Sequence, residues 1–129
     1  MRYFISAERK ELSFARNASR TVDLFDRLKD QFTMIQKADG CYYGTNEVSY
    51  EVKTRVLSHF GAQLTYIMYL AFSLYQQESI LQIDHESRAT LIYRDYTTKD
   101  LGTWYRVEPE FAKQQDCWNC IDGAYYVAM

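Results

Sequence analysis

The chain has 129 residues, 47% hydrophobic and 25% charged, with one proline, five glycines and a net charge of −2. That length fits one domain with a modest core, and the balance excludes collagen-like, low-complexity and disordered classes. The weakly acidic balance, with no basic stripe, argues against a nucleic-acid partner.

Residues 3–6 read as a short strand. Residues 15–32 read as an amphipathic helix with Val22, Phe25, Leu28 and Phe32 on its apolar face and Ser19 able to cap a late start. A strand at 32–37 is expected to close on the turn Ala38-Asp39-Gly40. From Glu47 the pattern alternates. Val48, Tyr50 and Val52 point to a core, and Glu47, Ser49 and Glu51 point to water, a ligand or another subunit. Residues 54–77 carry the strongest helical spacing, through Leu57, Phe60, Leu64, Ile67, Met68, Ala71, Leu74 and Tyr75. A hairpin at 79–95 turns through Asp84–Ser87. A strand follows at 103–107, Pro109 interrupts regular structure, and two short strands flank Asp122-Gly123. This order predicts an α+β fold over a single domain, 1–129. Its mostly antiparallel sheet has two helices packed on one face, and its other face is used in oligomer contacts.

Location and partners follow from absences in the sequence. The start MRYFISAERK lacks the apolar stretch of a secretory signal, and no run of ~18 apolar residues is present. Three cysteines, an odd count, fit a reducing compartment. A cytoplasmic protein with no membrane partner is expected.

Cys117-x-x-Cys120 lacks the second ligand pair of a structural zinc site. His59 and His85 stand in a helix and a hairpin turn, at the wrong spacing for a finger. No phosphate-binding glycine loop and no Gly-x-Ser-x-Gly elbow occurs. Neither a metal nor a cofactor is expected. Tyr42, Tyr43 and Glu47 form a different kind of group. A carboxylate opening a strand beside two aromatic rings suits a cationic ligand group. The same residues also describe a solvated loop carrying a surface glutamate.

Several ordered pieces resemble one family, the S-adenosylmethionine lyases of bacteriophages, formerly described as hydrolases. Gly40-Cys41-Tyr42 leads through a loop into a glutamate-opened strand, NEVSYEV. A long helix ends in Gln76-Gln77-Glu78 and runs into the apolar strand SILQI. ATLIY and Leu101-Gly102-x-Trp104-x-x-Val107 follow. The resemblance spans about residues 20–107. It implies Glu47 and Tyr42 as catalytic residues, with Tyr43 and Gln77 binding substrate. Tyr43 remains a rival for the Tyr42 role, and Glu51 a weaker rival for Glu47. The implied reaction is intramolecular cleavage of S-adenosylmethionine to 5′-methylthioadenosine and homoserine lactone. The resemblance also implies a homotrimer with intersubunit active sites, and an anti-restriction role in the host cytoplasm through depletion of the methyl donor. Two other functions fit the same composition: a non-catalytic phage inhibitor of a host protein, and a protein that sequesters a nucleotide-like ligand.

Overall fold

In the computed structural model, which describes residues 1–54 and 60–129, eight antiparallel strands join edge to edge into a closed barrel. They are β1 (Arg2–Ile5), β2 (Ile35–Tyr42), β3 (Thr45–Lys53), β4 (Ser79–Ile83), β5 (Arg88–Tyr93), β6 (Thr98–Val107), β7 (Cys117–Ile121) and β8 (Ala124–Ala128). Around the barrel the order is β1-β3-β2-β7-β8-β6-β5-β4, and β4 returns to β1 through Phe4 opposite Leu81. Helices α1 (Phe14–Lys29), α2 (Phe60–Met68) and α3 (Pro109–Lys113) complete the described elements, with π-helical turns over Tyr69–Leu74 prolonging α2.

Closure gives the strands two buried faces. Tyr3, Ile5, Val52 and Ile80 share an outer core with Leu24 and Leu28 of α1 and with Ile67, Leu70 and Ala71 of α2 and its extension. Phe4, Ala38, Leu81, Ile83, Trp104 and Ile121 fill part of the lumen. Tyr3, Phe4 and Ile5 therefore form an unbroken apolar run, because successive side chains enter different cores. The alternation expected from Glu47 holds, but its polar side is not an open outer face. Glu47 and Ser49 line the lumen. The buried Glu51 accepts a hydrogen bond from Arg2 at 3.2 Å, near the end where β3 finishes.

Local differences from the expected elements have identifiable causes. Ser13, not Ser19, caps α1, its side chain accepting from the Arg16 amide. The helix buries Leu24 and Leu28, one turn apart, and leaves Val22 61% exposed. Ala38-Asp39-Gly40 is not a turn. It lies inside β2, paired to β3 on one side, with Asp39 and Gly40 also paired to β7 on the other. The chain turns instead at Tyr43-Gly44, both at positive φ (49° and 83°), in the two-residue hairpin that joins Tyr42 to Thr45. The long helix is α2 plus its π-helical turns, and Leu57 and His59 lie outside the described residues. Pro109 opens α3 rather than ending structure, since its missing N–H is no loss in a first turn. The hairpins at Asp84–Ser87 and Asp122-Gly123 form as expected. Among the described residues, no helix is long and apolar enough to cross a membrane.

Candidate active site in the barrel mouth

Gly40 opens the site. Glu47 of β3 and Asn119 of β7 stand opposite it on either side. A Cβ on Gly40 would come within 2.7 Å of Asn119 Oδ1 and 3.2 Å of the Tyr42 ring. The bare backbone lets Asn119, 2% exposed, lie across β2 with its side-chain amide 3.3–3.4 Å from the Tyr42 hydroxyl. Burial raises the Tyr42 pKa well above the usual phenol range. The Asn119 hydrogen bond opposes that rise, and the nearby Glu47 charge adds to it. Tyr42 is thus a neutral hydrogen-bonding group, not a base.

The segment after β1 fixes Glu47. Ser6 Oγ donates to the Val48 carbonyl at 2.8 Å, and the Glu8 carboxylate accepts from the Val48 amide at 2.5 Å. Together they stand in for the strand partner that β1, ending at Ile5, no longer supplies. Burial pushes the Glu47 carboxyl up to about 7; a Ser6 hydrogen bond opposes this and the Glu8 charge adds to it. Gln77 reaches the same segment from the end of the π-helical turns. Its Nε2 donates to the Glu8 carbonyl at 3.0 Å and the Tyr75 carbonyl at 3.3 Å. Both amide protons are spent on backbone, so what Gln77 can still offer a ligand is its carbonyl oxygen. Arg20 of α1 ties the two segments together through the Ala7 and Tyr75 carbonyls, each at 2.6 Å.

Beside them lies a cavity of about 590 Å³ that opens at the end of the barrel carrying the β2–β3 hairpin. That is within the range of small-molecule sites, ~300–1,000 Å³. Glu47, Tyr42, Tyr43 and Gln77 all line it. Tyr42 lies within its strand, so the turn frees Tyr43 alone, which is 77% exposed at the rim. Cys117 lines the cavity, and Cys120, an odd number of residues further along β7, faces the other side. All three cysteines are free. Among the described residues, no group of three or more His, Cys, Asp or Glu side chains is disposed to hold a metal ion.

Ser49, on the polar face expected of β3, and Trp104 also line the cavity, as do Ser6 and Asn119, which no motif in the sequence singles out. Asn119 stands between Cys117 and Cys120 in the sequence. Its signal is the alternation Cys117, Asn119, Ile121, which puts an amide on the lumen side. Ser49 Oγ and Trp104 Nε1 are buried without a hydrogen-bond partner among the described residues.

No curated protein was found to match the sequence. A family model does match, over residues 3–129, and its family is described as the S-adenosylmethionine lyase family. The chain belongs to that family and is an S-adenosylmethionine lyase.

Proposed function

We propose that the chain cleaves S-adenosylmethionine intramolecularly, to 5′-methylthioadenosine and homoserine lactone. The observation that carries this reading is a half-buried carboxylate, Glu47, set among aromatic walls in a cavity of fitting size. In the reaction a carboxylate oxygen of the substrate bonds to its own γ-carbon. The carbon–sulfur bond breaks, and its electron pair leaves with sulfur as a neutral thioether. Carboxylate and sulfonium disappear together, and the ammonium persists. Glu47 pairs with that ammonium and leaves the substrate carboxylate free to attack. Tyr42 hydrogen-bonds the methionyl arm, Tyr43 walls the mouth, and Gln77 offers its carbonyl oxygen. Folding the arm so that oxygen and carbon meet in line supplies the rate, a proximity effect. Removing the two reacting charges from water favours their recombination.

Within this reading the chain acts as a homotrimer whose subunits complete one another's sites. It works in the host cytoplasm, where loss of the methyl donor blunts methylation-dependent restriction. The test is to incubate the protein with S-adenosylmethionine and separate the mixture by chromatography with mass detection. Methylthioadenosine with homoserine lactone, formed faster than without protein, is the expected result. Homoserine without lactone at the earliest times would assign attack to water. Unchanged substrate would favour the non-catalytic inhibitor of a host protein.

A further inference from the structure

The deep end of the cavity is chemically unlike its mouth. Around the mouth stand Glu78 and Asp116, just ahead of β4 and β7, and Glu47 and Lys99, in the first three residues of β3 and β6. Deeper in, Phe4, Leu81 and Trp104 belong to the lumen core. There the lumen contains two polar atoms without a hydrogen-bond partner among the described residues: Ser49 Oγ, on a residue 4% exposed, and Trp104 Nε1, on a residue 8% exposed. A buried donor without an acceptor is costly, and such groups in native proteins usually face a ligand or water. Trp104 is held in place for this role, stacked at 1° on Tyr126 and tilted against Phe4 with ring centroids 5.6 Å apart.

We infer that this floor is the purine subsite, with Trp104 Nε1–H donating to a ring nitrogen of adenine and the Ser49 hydroxyl meeting a second polar position on the base. The assignment rests on the reading of this cavity as the S-adenosylmethionine site and fixes the direction of the substrate within it. A flat, neutral base with acceptor nitrogens suits apolar walls carrying one fixed donor and one hydroxyl. The methionyl arm bears a sulfonium, an ammonium and a carboxylate, and its charges would be stripped of water at the floor without counter-charges to replace it. At the mouth it meets Glu47 and Lys99. Purine inward and arm outward is the one orientation that satisfies both ends.

The test is a cycle between ligand atoms and side chains. Binding of 5′-methylthioadenosine and of its 1-deaza, 3-deaza and 7-deaza analogues is measured by calorimetry with the wild-type protein and with Trp104→Phe. One analogue should bind wild type about tenfold more weakly than the parent, and Trp104→Phe should bind that analogue and the parent alike. Ser49→Ala should also weaken the parent ligand several-fold. Equal binding of all four ligands by wild type would overturn the assignment and leave only solvent on the floor. So would a deaza loss that persists in full in Trp104→Phe. The wild-type series needs no variant to fold. Failure here is distinguishable from failure of the cleavage reading. Glu47-dependent turnover of S-adenosylmethionine without any deaza effect would reject the subsite alone. A deaza effect with no turnover would reject the cleavage alone.

Discussion

Burial raises the Glu47 pKa from an ordinary 4.5 to about 7, so between those values the folded chain holds a proton that the unfolded chain has released. Stability therefore falls as pH rises through that window, and the loss is complete above about 7. Below 4.5 both states are protonated and the residue is neutral to folding. The full effect is on the order of 3 kcal/mol. Glu47→Gln should thus stabilise the fold by up to about that amount at pH 8 and by little at pH 4, while removing at least ~99% of turnover. Urea unfolding at the two pH values, beside the cleavage assay, checks this. A variant destabilised equally at both would make Glu47 a structural residue. The same ionisation sets activity. kcat/KM should rise about tenfold per pH unit below 7, then fall again as the substrate's own amino group, ordinarily near ~7.7–8.0, loses its proton. A flat profile from pH 5.5 to 7 would rule out an ion pair at Glu47. Tyr43 presents a second conflict between stability and use. A bulky side chain at φ +49° is strained, and the two-residue turn favours Asn-Gly. Tyr43→Asn should raise stability by about 1 kcal/mol. If Tyr43 walls the mouth as proposed, it should also raise KM.

Three elements hold the mouth in register, and α1 joins two of them. Arg20 donates to the last turn of one segment at Tyr75 and to the start of the other at Ala7, and its guanidinium lies 5.5 Å from the Tyr75 ring centroid. Arg20 does not line the cavity, so it is a positioning residue acting through Ser6, Glu8 and Gln77. Arg20→Lys keeps the charge but cannot span both carbonyls with a planar fork. It should cost about 2 kcal/mol of stability. It should also lower kcat and move the pH at which kcat/KM turns over, since the Ser6 hydrogen bond and the Glu8 charge that it positions both act on the Glu47 carboxyl. An unmoved turnover pH with undiminished kcat would mean that Arg20 serves stability alone. Much of this arrangement is legible in sequence, and the rest has definite reasons for being hidden. The face of Glu47 follows from strand alternation, and the Asp122-Gly123 hairpin from its dipeptide. Closure does not follow, because it depends on pairings such as Phe4 with Leu81 and Trp104 with Ala128, which no local pattern encodes. Without closure the polar side of β3 reads as an outer surface. Gly40 reads as a turn residue because Asp-Gly is a turn signal. Its actual service, room for Asn119, depends on a strand almost 80 residues away. Val22 and Phe25 fit the helical period but lie off the stripe that Leu24 and Leu28 bury, so the period is right and its phase is not.

At the scale of the molecule, one chain supplies Glu47, Tyr42, Gln77, Ser49 and Trp104, but its described residues leave the mouth uncovered. Charge recombination gains little where bulk water reaches the reacting groups, so an effective site needs a cover. The exposed tyrosines show where one would sit. Tyr43 and Tyr96 occupy the tips of the β2–β3 and β5–β6 hairpins, on the mouth end, at 77% and 70% exposure and with φ of 49° and 68°. Tyrosine is a poor choice for either turn on conformational grounds and a good one for a contact surface. In the proposed trimer a neighbouring chain covers this rim. Dilution should therefore dissociate the assembly and lower turnover per chain in step with the loss of oligomer, followed by sedimentation and by the cleavage assay over the same concentrations. Tyr96→Ser should move both transitions to higher concentration together, because Tyr96 is absent from the cavity lining and touches activity only through assembly. Full turnover by a chain that sediments as a monomer would show that the single barrel is sufficient and would reject sites shared between subunits.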